Sequence, residues 1–256
     1  MRILGIESSS LVASVAVVTD DILTAEYTVN LKKTHSQTLL PMIDEVVRML
    51  EIDPETIDAI AVSAGPGSFT GLRIGSATGK GLGLALKKPL IHVPTIDAMA
   101  YGLFGTDSLI CPIMDARRNQ VYTGLYHFHG VFEIVKEQYA ADVTELSDYL
   151  NSLREPVIFL GDGVPVYKDM LIQKLKIPYQ FAPAHVNRQR GASVAALGAV
   201  YFSEGKIETA AEHKPDYLRK SQAERERDLA EKQGELEKLA AGHVIVEHVN
   251  AVKESL

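Results

Sequence analysis

Hydrophobic positions follow a strand-like pattern over the first thirty residues and then change to a helical period. Three short β-branched runs come first, RILGIE, SVAVVTD and ILTAEYTV, with a serine-rich bend after the first. They predict a meander of three strands. From Thr34, HSQTLLPMIDEVVRML predicts an amphipathic helix over about 36–50, with apolar positions at Leu39, Leu40, Ile43, Val46, Val47 and Leu50. The continuous apolar run IDAIAVS predicts a buried strand that leads into a glycine-rich stretch.

The second half of the chain repeats the mixture of strands and helices. SLICPIMDA and EPVIFLGDG predict strands, QVYTGLYHF and VFEIVKEQY predict a hairpin around a His-Gly turn, and ASVAALGAVYF predicts a helix. We therefore expect an α/β protein with two related lobes, at 1–102 and 103–220. Residues 221–256 are expected to form a charged helical tail with a sparse apolar seam at Leu229, Leu236 and Leu239.

Composition restricts the functional class. The 256 residues are 46% hydrophobic and carry a net charge of −7, so no global attraction to nucleic acid or to an anionic membrane is expected. The single cysteine, Cys111, is expected to be a buried thiol in a reducing compartment. Glu7 and three serines interrupt the N-terminal apolar run, which argues against a signal peptide, and no apolar stretch is long enough for a membrane span. A cytoplasmic protein is expected.

The stretch AGPGSFTGLRIGSATGKGLGLAL, residues 64–86, does not match the known phosphate-binding templates. A P-loop requires Ser or Thr after Gly-Lys, and here Gly81 follows Lys80. A dinucleotide fingerprint requires G-x-G-x-x-G, but Gly65, Gly67 and Gly71 have one residue too many. Neither kind of nucleotide site is predicted.

A different regularity is present, because Gly71, Gly75, Gly79 and Gly83 recur at every fourth residue. On a helix they form a stripe without side chains, and each costs about 1 kcal/mol of helix stability relative to Ala. Close approach of another backbone would compensate. The sequence leaves open whether this partner is the chain's own sheet or a second protein chain.

The start of the stretch has two interpretations. Gly65 and Pro66 form a tight turn, and Ser68 or Thr70 caps the following helix. Alternatively, exposed amides at the start of the helix hold an anion.

Taken together, ILGIESSSLVASVAVV, HSQTLLPMIDEVV, AVSAGPGSFTGLRIGSATGKGLGLAL, MDARRNQVYTGLY, FLGDG and PDYLRKSQAE resemble the bacterial TsaB family, also called YeaZ. The resemblance extends from residue 1 to about residue 224. It implies a two-lobed fold of the actin, sugar kinase and Hsp70 type. It also implies a paralogue of the catalytic subunit TsaD, with which the family pairs to make threonylcarbamoyladenosine next to the tRNA anticodon, together with the ATPase TsaE.

The two phosphate hairpins of that fold depart from the pattern Asp-x-Gly-Thr. The first hairpin is Glu7, Ser8, Ser9 and Ser10, and the second begins at Asp115 with Arg117 and Arg118 following. Neither contains the glycine that lets the backbone approach phosphate. We expect at most a weak nucleotide or anion site, formed by Glu7, Ser8, Ser9, Ser10 and Ser68. We expect no catalytic residue and no cofactor required by this chain, with ATP entering only at the level of the complex.

No metal site is expected. The resemblance places a His-x-x-x-His pair of the catalytic paralogue where this chain has His35 and Leu39. His127 and His129 share one side of a strand, but no third ligand is apparent. Ser68 does not lie in G-x-S-x-G, so a serine hydrolase is not supported.

These observations predict a non-catalytic activator that pairs with TsaD and TsaE, contacts tRNA indirectly through the complex and self-associates when alone. The alternative is an autonomous nucleotide-dependent enzyme or peptidase of the actin-like fold. The predicted partner interface comprises one face of the two first-lobe helices: Leu39, Leu40, Ile43, Val47, Leu72, Ile74, Gly75, Gly79 and Gly83.

Overall fold

The computed structural model describes residues 1–31 and 34–218. Its first sheet contains five strands: β1 (Arg2–Glu7), β2 (Val12–Thr19), β3 (Ile22–Asn30), β4 (Ala59–Gly65) and β5 (Leu90–Pro94). Their order is β3-β2-β1-β4-β5, with β1, β2 and β3 antiparallel and β1, β4 and β5 parallel. The predicted meander and the buried strand before the glycine stretch are confirmed.

Three helices accompany this sheet along the chain: α1 (His35–Met49), α2 (Phe69–Leu86) and α3 (Thr95–Tyr101). Helix α1 buries Leu39, Ile43 and Val46 and leaves Leu40 exposed, as expected of an amphipathic helix. Helix α2 begins after Ser68, whose side chain accepts a hydrogen bond from the Gly71 amide. The two long helices predicted in the first half are therefore confirmed.

The second sheet has the same topology as the first. Its strands are β6 (Thr106–Asp115), β7 (Gln120–His129), β8 (Val131–Asp142), β9 (Val157–Leu160) and β10 (Tyr179–Phe181). The order is β10-β9-β6-β7-β8, with β6, β7 and β8 antiparallel and β6, β9 and β10 parallel. Read from the meander side, both sheets have the order 3-2-1-4-5. This duplicated mixed sheet confirms the predicted α/β class and the repetition of a mixed sheet with helices in the two halves of the chain.

The remaining helices are α4 (Val143–Leu153), α5 (Val164–Lys174) and α6 (Gly191–Ser203). The hydrophobic pattern predicted only α6. Helix α4 does carry a start signal, because Asp142 accepts a hydrogen bond from the Thr144 amide and Glu145 lies in the first turn.

Helix α6 follows the second sheet along the chain but packs on the first, with the Gly198 Cα close to Ala61 of β4. Glu26 of β3 fixes the start of α6 by pairing with Arg190 and accepting from the Ala192 amide at 3.1 Å. The predicted boundary near residue 102 thus separates the two sheets, whereas α6 adds to the first. The lobe limits themselves stay a prediction.

No helix within the described part of the chain is both long and apolar enough to cross a lipid bilayer. The predicted tail at 221–256 lies outside the described residues.

Candidate functional site

The first hairpin is packed beneath the start of helix α2. The Ser8 hydroxyl donates to the Gly71 carbonyl at 2.9 Å, and the Ser68 amide donates to the Ser9 carbonyl at 2.6 Å. Glu7, Ser8 and Ser9 are all buried. A Cβ at Gly67 would lie 2.3 Å from the Ser9 carbonyl oxygen, so this glycine permits the close approach of the two loops.

The predicted anion-site residues therefore meet, but as a packed junction rather than as an open cradle. Ser68 uses its hydroxyl to cap α2, accepting from the Gly71 amide at 3.3 Å. The Ser10 hydroxyl accepts from the Val12 amide at 3.2 Å. The Ser9 hydroxyl is buried without a hydrogen-bond partner in the described residues. Of the two interpretations of the glycine-rich turn, the geometry favours helix capping.

Glu7 contributes a fully buried carboxyl group to this junction. Its Oε1 accepts from the Ser9 amide at 2.6 Å. Burial raises the pKa of Glu7 above its usual range, and hydrogen bonds from Ser9 and Ser63 oppose the shift. Burial also raises the pKa of Asp162, whose Oδ1 accepts from the Gln189 side chain at 2.9 Å. At both carboxyl groups, burial thus disfavours the charged form.

In the second hairpin, the Asp115 carboxylate is already bonded to other residues of this chain. Asp115 accepts from the Arg117 amide at 2.8 Å and from the Tyr167 hydroxyl at 2.9 Å, and it forms an ion pair with the Arg117 guanidinium at 3.7 Å. Arg117, Arg118 and Asn119 have φ values of 66°, 57° and 59°, so the turn is left-handed at three successive non-glycine residues. The carboxylate that would serve a phosphate site thus organises this turn.

The glycine stripe faces the interior of the chain. A Cβ at Gly71 would lie 2.1 Å from the Ser8 carbonyl oxygen, and one at Gly75 would lie 2.2 Å from the Ser8 hydroxyl. At Gly79 and Gly83 a Cβ would meet side-chain atoms of Val62 and Leu90 at 2.6 and 2.5 Å. The question left open by the sequence is answered in favour of the chain's own first sheet.

The inward orientation of the glycine stripe limits which of the predicted interface residues can contact a partner protein. Five of the nine are buried against the first sheet and offer no surface to a partner: Leu39, Leu72, Gly75, Gly79 and Gly83. Ile43 is also buried but lines a surface groove. Leu40 is 57% exposed, and Val47 and Ile74 are half-buried. The glycines bring helix α2 close to its sheet, and the apolar side chains on the outer face remain available for contact.

An apolar groove of about 600 Å³ lies between α1 and α2. Leu40, Ile43 and Val47 line its α1 side, and Leu82 and Leu86 line its α2 side. Asp44 is the one charged residue in this lining. Such a surface suits an apolar helix of another protein better than it suits a charged nucleotide.

The other candidate chemical groups have structural partners. Burial raises the pKa of the Cys111 thiol to about 12, and its sulfur lies 3.4 Å from the Thr123 hydroxyl. His35 Nε2 lies 2.7 Å from the Ser10 carbonyl oxygen. His127 and His129 pair with Glu155 and Asp107 instead of sharing a ligand.

One constellation, formed by His92, Glu208 and His213, was not predicted from the sequence. These residues come from strand β5 and from the segment that follows α6, so they are distant along the chain. No short spacing motif connects them, and only the return of that segment to the first sheet brings them together.

Known proteins resemble this chain over most of its length. The family model described as TsaD, tRNA N6-adenosine threonylcarbamoyltransferase, matches residues 24–227. A Bacillus subtilis protein named tRNA threonylcarbamoyladenosine biosynthesis protein TsaB is 36% identical over 231 residues, covering 88% of this chain and 96% of the relative. The Escherichia coli protein of the same name is 26% identical over 227 residues, covering 87% and 96%.

A similar solved structure is that of a Pseudomonas aeruginosa protein described as having similarity to the peptidase YeaZ. It superimposes with a TM-score of 0.74 at 22% identity, covering 85% of this chain and 99% of its own. At this identity the likeness establishes a common fold.

Proposed function

Because this chain belongs to the TsaB family of tRNA threonylcarbamoyladenosine biosynthesis proteins, we propose that it acts in that pathway as a non-catalytic activator that pairs with TsaD. The proposal includes TsaE as a further member of the complex, a cytoplasmic location and contact with tRNA only through the complex.

The packed first hairpin is the observation that carries this proposal. An actin-like enzyme needs open backbone amides at this position to hold phosphate. Here Ser8 and Ser9 are fully buried and already bonded to the turn that starts α2. A nucleotide could bind there only if the junction between β1 and α2 opened.

The apolar groove between α1 and α2 supports the choice of partner. The TsaD family model matches residues 24–227, a range that contains both helices. A TsaD partner therefore carries the corresponding helix pair, and two related helix pairs can meet face to face across a pseudo-twofold axis. We place TsaD in this groove, with Leu40 and Val47 among its contacts, and we include the half-buried Ile74 of α2, which lies outside the groove lining, in the proposed interface.

The chemistry of a peptidase has no support in the described residues. Across 1–31 and 34–218, no serine or cysteine side chain is hydrogen-bonded to a histidine ring. Ser68 is committed to helix capping, and Cys111 is buried with a raised pKa.

Reconstitution of tRNA threonylcarbamoylation tests the proposal. TsaD, TsaE and threonylcarbamoyl-AMP would be combined with tRNA in the presence and absence of this protein, and the protein would also be assayed without TsaD. We expect modification that requires this protein and does not arise from it alone. Full modification in its absence would refute the activator role, and ATP turnover by the isolated chain that Glu7→Gln abolishes would favour the autonomous enzyme.

A further inference from the structure

The segment after helix α6 returns to the first sheet and brings three potential metal ligands together. Leu90 of β5 and Glu208 exchange backbone hydrogen bonds of 2.8 and 2.9 Å. Further along, the Asp216 amide donates to the Ala64 carbonyl at the end of β4, at 2.7 Å. Between these attachments lies His213, directly beside β5 and its His92 side chain.

His213 is fully buried and is only partly satisfied by the protein. Its Nδ1 lies 2.5 Å from Glu208 Oε1, whereas its Nε2 has no hydrogen-bond partner in the described residues. A neutral imidazole can offer the lone pair of one of its two nitrogens to a metal ion.

His92 is oriented by a second carboxylate. Its Nε2 lies 2.9 Å from Asp216 Oδ2, and its Nδ1 lies 3.9 Å from Glu208 Oε1. When Nε2 carries the single proton of a neutral ring and donates it to Asp216, Nδ1 is a lone-pair acceptor that faces a carboxylate oxygen. Two facing acceptors repel each other, and a cation placed between them removes this repulsion.

We propose that His92, Glu208 and His213 form a binding site for a borderline divalent cation of the Zn²⁺ class, with Asp216 as the positioning residue that orients His92. One ligand atom of each of the three residues lies within 4.8 Å of the others. Ligands at about 2.1 Å from Zn²⁺ in a tetrahedron lie about 3.4 Å apart. The ion would replace the hydrogen between His213 Nδ1 and Glu208 Oε1, now 2.5 Å apart, and these two atoms would separate by about 1 Å. Solvent completes the coordination.

The donor set and its surroundings are consistent with this class of ion. Two imidazoles and one carboxylate favour Zn²⁺ over Mg²⁺ or Ca²⁺, which prefer oxygen ligands. A carboxylate behind a ligating imidazole is a common second layer of protein zinc sites. Lys80 also acts electrostatically on His213, and the two carboxylates outweigh this single positive charge.

The ion would link the segment after α6 to strand β5 of the first sheet. Glu208 and His213 belong to that segment, and His92 belongs to β5. Because the ion binds the folded arrangement, it is expected to stabilise the protein by mass action. This inference does not depend on the proposed pairing with TsaD.

Metal binding would be measured on the full-length protein without an affinity tag, after removal of metal by a chelator. Zn²⁺ affinity would be obtained by competition with a chromogenic chelator, and Co²⁺ would report coordination through its visible absorption. His92→Gln removes a half-buried ligand, and His127→Gln is the matched control, since His127 is similarly exposed and also pairs with a glutamate. Circular dichroism would establish that each variant is folded.

We expect one tightly bound Zn²⁺ in the unaltered protein and in His127→Gln, and at least a 100-fold weaker affinity in His92→Gln and Glu208→Gln. Asp216→Asn should weaken binding by about 10–100-fold and alter the Co²⁺ spectrum. At free Zn²⁺ of about 100 times Kd, the folded-to-unfolded ratio should rise by about 100-fold in the unaltered protein. Absence of Zn²⁺ binding, or an affinity that His92→Gln leaves unchanged, would overturn the proposal.

Discussion

Glu7 shows how a single carboxyl group can keep its place in a fold while its environment opposes its charge. It lies at the end of β1, where an actin-like enzyme requires an ionised carboxylate, yet burial raises its pKa. Its partners are the neighbouring serines of a packed junction. The side chain is therefore part of the buried packing of this junction.

Replacing Glu7 by Gln should change how stability depends on pH. A buried acid whose pKa is raised in the folded protein contributes stability at pH values below its ordinary pKa, which is 4.5 for Glu7. This stability is lost as the pH rises through the raised pKa of the folded state. Gln keeps the oxygen that accepts from Ser9 but does not ionise. The unfolding free energy of the unaltered protein should thus fall relative to that of Glu7→Gln across this window, by at most about 1.4 kcal/mol per pH unit. Urea unfolding at several pH values measures this difference.

Glu212 provides a control of opposite sign. Hydrogen bonds from the Thr209 amide and hydroxyl lower the pKa of Glu212. The stability that Glu212 contributes is present at pH values above its ordinary pKa of 4.5 and is lost as the pH falls. The unfolding free energy of the unaltered protein should therefore rise with pH relative to that of Glu212→Gln. A flat difference between Glu7→Gln and the unaltered protein over the same pH range would contradict the description of Glu7.

At the scale of a single element, helix α2 balances weak intrinsic propensity against close packing. Each of its stripe glycines costs about 1 kcal/mol relative to Ala. In return, the helix lies so close to the β1 hairpin that the Ser8 carbonyl occupies the position of a side chain at Gly71. The same helix contains Gly81, which is exposed and has open space where a Cβ would be.

Two alanine substitutions in α2 should therefore have opposite effects. Gly71→Ala places a methyl group against the Ser8 backbone and should destabilise the protein by at least about 2 kcal/mol. Gly81→Ala meets nothing and should stabilise it by up to about 1 kcal/mol through helix propensity. Chemical denaturation of both variants measures the signs. Equal tolerance of the two substitutions would contradict the inward orientation of the stripe.

At the scale of the whole molecule, the helices on the first sheet form an apolar groove that no other described residue of the chain fills. Helices α1 and α2 cover the first sheet with their inner faces, and the groove between their outer faces is lined by apolar side chains. Leu40 is 57% exposed at its edge. An exposed apolar groove of this kind is characteristic of a protein interface.

Leu40→Asp should weaken pairing with TsaD by at least about 10-fold, because it buries an unpaired charge in the proposed interface. Val166→Asp is the matched control, since Val166 of α5 is also 57% exposed but lies beside the second sheet. Sedimentation with TsaD and the reconstituted tRNA assay measure the two variants. Equal loss of pairing in both variants, or none in Leu40→Asp, would place the interface elsewhere. A homodimer that only Leu40→Asp disrupts would show that a second copy also occupies this groove.

The elements with strong hydrophobic periodicity could be predicted from the amino-acid sequence alone. The three-strand meander, helix α1, the buried strand before the glycines and the hairpin around Gly130 follow from local alternation or helical spacing. The sequence also showed that the phosphate hairpins lack glycine and that the family resemblance extends from residue 1 to about residue 224. Helices α3, α4 and α5 were not assigned, although the Asp142 cap marks the start of α4. Helix α3 is short and buried on nearly all sides, and α5 has a mixed surface, so both give a weak periodic signal. Helix α4 does bury Val143, Leu146 and Leu150 at helical spacing, so its signal was present in the sequence.

The neighbours of each surface could not be predicted in this way and follow from long-range packing. The glycine stripe was equally compatible with a sheet and with a second chain, because the spacing fixes a face of a helix and not its neighbour. Packing against Ser8, Val62 and Leu90 settles the direction. In the same way, His92 and His213 become neighbours only because the chain returns to β5 after α6. Local sequence thus specified the elements, whereas long-range packing chose which buried groups meet and which apolar face stays on the surface.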